Sequence, residues 1–403
     1  MADFGFTIAA RHGLSRAGVI QTPHGDIETP AFIPVGTKAT VKAMLPRDVA
    51  ATGAQAVLAN SFHLYLQPGP EIVAAAGGLG AFMGWDGPTF TDSGGFQVMS
   101  LGPGYKKTIE MSVDEVTRDD SATAGGRTRL SRVDEDGVTF NSPLDGSEHR
   151  FTPEFVIRLQ HSFGADIMFA FDELTTLRNT REYQEASVQR TQRWAQRCLD
   201  EHGRGGEIGR LQALFAVVQG AQYEDLRRHA CRGLVATRGP AGETFDGYGI
   251  GGALEKSQIG AIVGWCAEEL PDDKPRHLLG ISEPEDLFAA VASGADTFDC
   301  VNPSRVGRNA AIYTARGRYN VTNARFRDDF GPLEDACDCH TCSRFSRAYV
   351  HHLFKAHELL ANTLATIHNE RFTVRLVENM RAHLIDGSFD EFRTDWLAGW
   401  AKS

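Results

Sequence analysis

"TFDCVNPSR", residues 297–305, joins an apolar run to a polar segment and places a carboxylate between them. Asp299 lies between Phe298 and Cys300, in a stretch that predicts a buried β-strand. A carboxylate in apolar surroundings costs free energy unless other groups hold it or the protein uses it. The stretch therefore predicts a strand that ends in an acid with a structural or functional role.

Seven other segments have the same form, an apolar, β-branched or aromatic run that ends in polar or glycine residues. The eight runs are AFIPVGT (31–37), AVLANSFHL (56–64), PTFTDSGGFQ (88–97), ADIMFAFDE (165–173), LFAVVQGAQ (214–222), FDGYGIGG (245–252), RHLLGIS (276–282) and TFDCVNP (297–303). Apolar strands that alternate with amphipathic stretches indicate a parallel sheet. Eight units favour an α/β fold of the (β/α)8 TIM-barrel type, in which chemistry lies where strands end. An open doubly wound sheet is the alternative.

Two parts of the chain depart from this pattern. Residues 103–137 are rich in glycine, serine and charge, and lead into VTFNSPLDGSEHRF (138–151), where Asp145-Gly146 predicts a hairpin turn. We predict a barrel core over residues 1–303 with a polar insertion near 103–150. Residues 304–403 are expected to form arginine-rich loops, a metal-binding subdomain and C-terminal helices packed on the barrel.

The composition is that of a globular protein with an acidic balance. The 403 residues carry a formal net charge of −11, which argues against a protein coated in nucleic acid but allows a local basic groove. No apolar run approaches the roughly 18 residues of a membrane span. The start, MADFGFTIAARHGLSRAG, lacks the apolar stretch of a secretory signal. We therefore expect a cytoplasmic protein without membrane association.

Acids stand at three predicted strand ends: Asp92, Asp172 and Asp299. Their structural interpretation is helix capping or pairing with arginine. Their catalytic interpretation is a retaining double displacement at a C1′–N glycosidic bond, in which one aspartate attacks the sugar and another moves the proton. The second interpretation makes this end of the barrel an active site.

Further polar groups at the same strand ends suit a nucleobase. Gln219 and backbone N–H groups at Gly251-Gly252 provide donors and acceptors for a base edge, together with Asp172. Phe96 is placed to stack on the base, as aromatic side chains do with unstacked bases.

The segment CDCHTC (337–342) crowds Cys337, Cys339 and Cys342 together, and in a reducing compartment this spacing indicates a metal. Zinc takes a fourth ligand to close a tetrahedral structural site. The histidines available nearby are His340, His351, His352, His357 and His368. Three free thiols are the alternative.

Between Ser304 and Arg327 the chain has no acid and six arginines: Arg305, Arg308, Arg316, Arg318, Arg325 and Arg327. This run follows directly on the Asp299 segment, and it predicts a rim that faces phosphate, with Arg305 and Arg308 foremost. A solvated charged face is the alternative.

With these residues assembled, the chain resembles the bacterial tRNA-guanine transglycosylases over nearly its whole length. The resemblance is carried by NSFHL (60–64), TDSGGFQVMSL (91–101), GVTFNSPLDGSEH (137–149), FAFDE (169–173), VVQG (217–220), YGIGG (248–252), FDCVNPSRVGRN (298–309), CDCHTC (337–342) and SRAYVHHL (346–353). It implies an insertion-rich (β/α)8 barrel that removes guanine from the wobble position of tRNAs with a G-U-N anticodon. The enzyme would insert a 7-deazaguanine, most simply the 7-aminomethyl base, in queuosine biosynthesis.

The resemblance also implies residue roles. Asp299 matches the nucleophile that bonds covalently to the ribose, and Asp92 matches the general acid/base. Positions that match the base pocket are Asn60, Phe96, Asp172, Gln219, Gly251, Gly252 and Ala253. The family pattern gives one structural Zn²⁺ with His368 as its fourth ligand, and a homodimer with an interface patch at Phe345, Tyr349 and His352. Their spacing of i, i+4 and i+7 predicts one helix face, with an intramolecular core stripe as the alternative.

The chain departs from the family at ALEKS (253–257), where bacterial members commonly read Leu-Ala-Val-Gly-Glu, and in a longer 103–130 stretch. Because ALEKS borders the pocket for the 7-substituent, free queuine is an alternative incoming base. A non-catalytic tRNA-binding subunit is a further alternative, although such paralogues typically lose the catalytic aspartate. A barrel hydrolase with catalytic zinc is disfavoured, since three cysteine ligands leave no obvious open position.

Overall fold

The computed structural model describes residues 4–99, 131–252 and 254–400. Its strands, numbered in chain order, are β1 (Gly5–His12), β2 (Ser15–Thr22), β3 (Gly25–Thr29), β4 (Ala31–Pro34), β5 (Val57–Asn60), β6 (Thr89–Asp92), β7 (Ser131–Val133), β8 (Val138–Asn141), β9 (Glu148–Phe151), β10 (Ile167–Phe169), β11 (Ala213–Val218), β12 (Gly247–Ile250), β13 (Arg276–Leu278), β14 (Thr297–Cys300), β15 (Ala311–Thr314) and β16 (Gly317–Asn320).

Eight of these strands form one parallel sheet in the order β4-β14-β13-β12-β11-β10-β6-β5. The two ends of the sheet meet, because Val35 bridges Leu58 in parallel and the Gly36 N–H donates to the Leu58 carbonyl over 2.7 Å. The sheet is thus a nearly closed barrel, and each of the eight predicted runs supplies one strand. The predicted TIM barrel is confirmed, and the alternative of an open doubly wound sheet was wrong.

Side chains along the barrel strands alternate between two separate apolar clusters. Phe90, Phe169 and Val217 belong to the cluster inside the barrel, whereas Phe298 belongs to the one beneath the surrounding helices. Successive residues of a strand point to opposite faces. The strand-end residues Asp92, Gln219 and Asp299 therefore face the barrel interior. The backbone register therefore aims the polar strand ends into one opening.

Helices surround the barrel and extend its C-terminal side. They are Pro46–Ala50, Ser61–Leu66, Pro70–Ala75, Leu79–Met83, Gly95–Met99, Pro153–Phe163, Arg181–Arg204, Glu207–Leu211, Glu224–Ala236, Ile259–Ala267, Pro284–Ala292, Asn302–Gly307, His340–Arg344, Arg347–Lys355, Leu359–Asp386 and Phe389–Trp400. Several begin with proline at the first helical positions, where its missing N–H costs no helical hydrogen bond. Among the helices of the described residues, none combines the length and apolarity that a membrane crossing needs.

Strands β7, β8 and β9 form a small antiparallel sheet beside the barrel. Asn141 pairs with Glu148 across the turn, and Gly146 has a φ of 80°, a left-handed value that glycine adopts without strain. The predicted Asp145-Gly146 hairpin is confirmed. The stretch of the predicted insertion up to residue 130 lies outside the described residues.

The C-terminal part is tied to the barrel by its long helix, Leu359–Asp386. Arg371 donates to the Thr52 carbonyl over 3.0 Å, and Arg381 donates to the Glu28 carbonyl over 3.0 Å. These bonds join the helix to the outside of the barrel near its first strands. The division of the chain at residue 303 stays a prediction.

Candidate active site

Asp92 ends β6 on the inward side of the barrel. Its Oδ2 accepts a hydrogen bond from Asn60 Nδ2 over 2.6 Å, and the Gly94 N–H lies 3.4 Å from Oδ1. Burial, followed by the negative charge of Asp299, raises the pKa of Asp92 to about 6, although hydrogen bonds from Gly94, Asn60 and Gln97 oppose the rise. A carboxyl with such a pKa can take and return a proton near neutral pH.

Asp299 lies in β14 and faces the barrel interior, as Asp92 does, and its negative charge contributes to the raised pKa of Asp92. Its side chain is 13% exposed, and its Oδ1 lies 3.1 Å from both His277 Nε2 and the Gly280 N–H. The His277 Nδ1 lies 2.9 Å from the Thr297 hydroxyl, so a ring proton on Nε2 would donate to the carboxylate. Asp299 is held from inside the barrel and not behind the sheet.

Asp172 and Gln219 form a buried pair at the ends of β10 and β11. Gln219 Nε2 donates to Asp172 Oδ2 over 2.6 Å, and Asp172 is only 8% exposed. Burial raises the pKa of Asp172 to about 7, with a further rise from the charge of Asp92 and an opposing effect from Gln219. The Gln219 Oε1 is buried and has no hydrogen-bond partner among the described residues, so an acceptor is available beside the carboxyl.

The Ser-Gly-Gly turn after Asp92 packs closely against Phe62 and the Asp172 backbone. A Cβ on Gly94, whose φ is 84°, would come within 2.9 Å of the Phe62 Cβ, and a Cβ on Gly95 would meet the Asp172 carbonyl at 3.0 Å. Position 94 therefore requires glycine, and a side chain at position 95 would fit only if the Asp172 backbone shifted. Phe96 follows on the helix Gly95–Met99 and is 38% exposed.

The turn after β12 packs directly on Gln219. Gly252 has a φ of 92°, and a Cβ there would lie 2.5 Å from the Gln219 Oε1. A Cβ on the buried Gly251 would lie 2.9 Å from the Val217 Cγ1. The predicted base-pocket residue Ala253 lies outside the described residues.

The three cysteines of CDCHTC meet one histidine of the long helix. Ligand atoms of Cys337, Cys339, Cys342 and His368 all lie within 4.8 Å of one another. The His368 Nδ1 is 3.2 Å from the Cys342 sulfur, and its Nε2 lies 2.7 Å from the Tyr313 carbonyl. A proton on Nε2 leaves Nδ1 free to coordinate, which is the outer-shell arrangement usual for metal-binding histidines. The cluster could hold a metal ion, and its donor set fits a closed tetrahedral centre.

The arginines that follow Asp299 differ in surroundings. Arg305 is exposed, whereas Arg308 is half-buried and its pKa is lowered by burial despite the nearby charge of Glu370. Arg318 forms an ion pair with Glu283. The run without acids in sequence is thus partly neutralised by acids from other elements.

The predicted interface residues do not lie on one helix. The helix begins at Arg347, and Phe345 precedes it in an extended conformation with φ −129° and ψ 144°. Phe345 nevertheless stacks on Tyr349, with ring centroids 5.5 Å apart, and Tyr349 and His352 are exposed. The assumption of a single helix face was wrong because Ser346 caps a new helix between the two rings.

Two site residues escaped the sequence analysis. Neither His277 nor Gln97 was singled out there, although His277 contacts Asp299 and Gln97 hydrogen-bonds to Asp92. His277 precedes Leu278 of the outer cluster and therefore faces inward, so the strand alternation carried a signal for it.

Two carboxyls face one opening at the carboxyl ends of the barrel strands. Transfer of a group at a glycosidic bond needs such a pair. The fold and the site together define a barrel enzyme of the glycosyl-transfer class.

Comparison with known proteins gives the family. The sequence pattern of the family described as Queuine tRNA-ribosyltransferase matches residues 12–402. A Queuine tRNA-ribosyltransferase of Herpetosiphon aurantiacus is 44% identical over 401 residues, covering 99% of this chain and 93% of that protein. Proteins of the same name are 42% identical over 390 residues in Desulforamulus reducens (96% and 95% covered) and 44% identical over 408 residues in Roseiflexus sp. (97% and 98% covered). The chain belongs to the queuine tRNA-ribosyltransferase family, which confirms the predicted resemblance and the predicted enzyme class, a pentosyltransferase.

Proposed function

We propose that this enzyme exchanges guanine at the wobble position of tRNAs with a G-U-N anticodon for a 7-deazaguanine, by double displacement through a covalent Asp299–ribose intermediate. The observation that supports this most is the pair of inward acids, of which Asp299 raises the pKa of Asp92. In this reaction one acid attacks and its partner gains and loses a proton, and the raised pKa of Asp92 suits the second role. Its setting would be the cytoplasm, where tRNA is modified.

In the first displacement, an Asp299 carboxylate oxygen attacks C1′ and the C1′–N9 bond breaks. The bonding electrons go to N9 of guanine, which takes the proton of neutral Asp92. The hydrogen bonds to Oδ1 from His277 and Gly280 hold the carboxylate for attack through its other oxygen, Oδ2. The products are free guanine and an ester between Asp299 and the ribose.

In the second displacement, the Asp92 carboxylate removes the N9 proton of the incoming base. N9 then attacks C1′, and Asp299 leaves as a carboxylate. Protons and charges balance over the cycle, because Asp92 ends neutral, as it began. A pKa of about 6 suits both halves of this exchange.

Base recognition falls to the groups around Asp172. Its carboxylate would accept from base N–H groups, the Gly252 N–H would donate to the base carbonyl oxygen, and Gln219 would complete the edge. Phe96 would stack on the ring, Asn60 would orient Asp92, and Gly251 and Ala253 would border the pocket.

For the incoming base we propose the 7-aminomethyl form over queuine. ALEKS contributes the half-buried Glu255, a carboxylate that would attract a 7-ammonium group. Competition between the two bases for incorporation tests this. Preferential use of queuine would contradict it.

The metal would be one structural Zn²⁺ held by Cys337, Cys339, Cys342 and His368. Arg305 and Arg308 would hold the anticodon-loop phosphates beside the mouth.

The Phe345–Tyr349 stack with His352 would form a homodimer interface. Sedimentation of the wild type beside Tyr349→Ala tests the dimer, and an unchanged distribution would remove this patch from the interface.

The exchange itself is tested with a G-U-N tRNA and labelled guanine. We expect label in the RNA with the wild type and none with Asp299→Asn. Denaturing gels should reveal a protein–RNA adduct that Asp299→Asn cannot form. Incorporation without an adduct would contradict the covalent route, and binding of tRNA without incorporation would indicate a non-catalytic subunit.

A further inference from the structure

Arg227 is a fully buried arginine on the helix Glu224–Ala236, and the proposed mechanism does not use it. No carboxylate of the described residues lies within ion-pair distance of its guanidinium. Instead, Nε donates to the Ala221 carbonyl over 2.9 Å, and Nη1 donates to the Val218 and Gly251 carbonyls, each over 2.8 Å. A buried cation solvated only by backbone carbonyls is costly, and its position therefore requires an explanation.

The three carbonyls flank the base-reading groups. Val218 immediately precedes Gln219, and Ala221 lies in the turn after it with an unfavourable φ of 49°. The Gly251 carbonyl belongs to the same peptide unit as the Gly252 N–H. One guanidinium thus ties the ends of β11 and β12 together at the point where both would meet the base.

The contact to Gly251 has an electronic consequence. A carbonyl that accepts from a cation is polarised, and the N–H of the same peptide becomes a stronger donor, because hydrogen bonds in series reinforce one another in a low-dielectric interior. The peptide 251–252 would transmit the charge of Arg227 to the atom that donates to a base carbonyl.

The remaining nitrogen points to the same place. Arg227 Nη2 is buried without a hydrogen-bond partner among the described residues. It lies 3.4 Å from the ideal Cβ position of Gly252, which is itself 2.5 Å from the partnerless Gln219 Oε1. An unused donor and an unused acceptor therefore converge at Gly252.

We infer that Arg227 is a positioning residue that fixes Gln219 and the Gly251–Gly252 turn and strengthens the Gly252 N–H as a donor to the carbonyl oxygen of the base. This inference rests on the proposed function, since it assigns a cause to base recognition at that site. It predicts an effect confined to the base and dependent on the base carbonyl.

The test compares Arg227→Met and Arg227→Lys with Arg232→Met, which removes an exposed arginine from the same helix. Incorporation of labelled guanine into tRNA gives KM for each substrate, and competition gives the affinity of guanine and of 2-aminopurine, which lacks the carbonyl oxygen. For Arg227→Met we expect KM for guanine to rise at least tenfold and KM for tRNA to change less than twofold. The preference for guanine over 2-aminopurine should fall at least fivefold, with Arg227→Lys intermediate and Arg232→Met like the wild type.

Equal losses for both bases would overturn the inference, because a merely structural defect does not distinguish them. An unchanged KM for guanine would overturn it as well. If Arg227→Met does not fold, as judged by thermal unfolding, Arg227→Lys decides by the same ratio. Failure of the wild type to incorporate guanine would instead refute the proposed function.

Discussion

At the scale of single residues, the barrel mouth is marked by carboxyls whose acidity is suppressed. Asp92 and Asp172 have pKa values raised to about 6 and about 7, in both cases chiefly by burial. At pH values above the ordinary pKa of such a group, its burial lowers the free energy of unfolding. Proteins keep this arrangement at sites where the groups have a chemical task.

The first prediction concerns pH and base affinity. In the proposed function Asp172 would accept from base N–H groups, which it can do only as a carboxylate, and burial raises its pKa to about 7. The KM for guanine should therefore rise as pH falls below about 7, approaching tenfold per unit, while KM for tRNA stays nearly constant. Initial rates from pH 5.5 to 8.5 measure this.

A matched control is Asp246→Asn. Burial also raises the pKa of Asp246, but this residue precedes β12 and lies at the opposite end of the barrel. Its variant should keep the wild-type pH dependence of KM. A flat wild-type profile would show that Asp172 does not read the base as a carboxylate.

The second prediction concerns stability. The folded-state pKa of Asp172 exceeds its ordinary value of 3.8, so the native state keeps a proton that the unfolded chain releases, and the free energy of unfolding falls as pH rises from about 4 to about 7. Asp172→Asn should remove this loss. We expect it to exceed the wild type by on the order of 2–4 kcal/mol at pH 8 and to match it at pH 4, at about 1.4 kcal/mol per pKa unit.

Urea unfolding at the two pH values measures the difference. The same variant should lose base incorporation, which would place Asp172 among residues retained for function at a cost in stability. A difference that is equal at both pH values would contradict the assignment of the shift to this carboxyl.

At the scale of elements, the helix Leu359–Asp386 joins the cluster of three cysteines and His368 to the segment that follows Asp299. His368 faces the cysteines, and the adjacent Asn369 donates to the Pro303 and Ala311 carbonyls over 3.1 and 2.9 Å and accepts from the Tyr313 N–H. One turn of this helix therefore supports both the cysteine segment and the segment that follows Asp299.

The third prediction is the effect of breaking the cluster. Cys342→Ser should lose the bound metal and lower the free energy of unfolding by ~4 kcal/mol or more, because a structural metal stabilises only the folded chain. Elemental analysis should find one zinc per chain in the wild type. Cys231→Ala, a buried cysteine outside the cluster, should keep its metal.

Activity adds a second readout for this variant. Since the same turn of the helix also holds the segment that follows Asp299, residual folded Cys342→Ser should form the Asp299 adduct more slowly than the wild type. Full stability without metal would remove the structural role proposed for zinc.

At the scale of the whole molecule, a chain of net charge −11 has to attract a polyanion at one place. The exposed Arg305 lies on the helix directly after β14, at the edge of the mouth. Local charge can steer and hold a ligand even when the overall field is repulsive, and the effect depends on salt.

The fourth prediction follows from counterion release. Arg305→Ala should weaken tRNA binding and reduce the slope of log affinity against log salt by about 1, as expected for one lost phosphate contact. Arg308→Ala should act in the same direction. Filter binding from 50 to 200 mM salt would measure the slopes.

Arg11→Ala is the control for charge alone. Arg11 pairs with Asp272, which precedes β13 and so lies at the end of the barrel opposite the mouth. Its slope should equal that of the wild type. An unchanged slope for Arg305→Ala would remove this residue from the RNA-binding surface.

The sequence by itself determined the eight strands, the hairpin at Gly146 and the cysteine cluster, because apolar runs, turn residues and ligand spacing are local features of the chain. It also placed Asp92, Gln219 and Asp299 at strand ends, but the folded structure was needed to show that these residues face the barrel interior, because the inner and outer apolar clusters are known only there. Only the tertiary structure decided that His277 holds Asp299, that Glu283 pairs with Arg318, and that Arg227 lies beneath the Gly251–Gly252 turn. These partners come from strands and helices distant in sequence, and their meeting depends on the register and closure of the barrel, which no local pattern specifies.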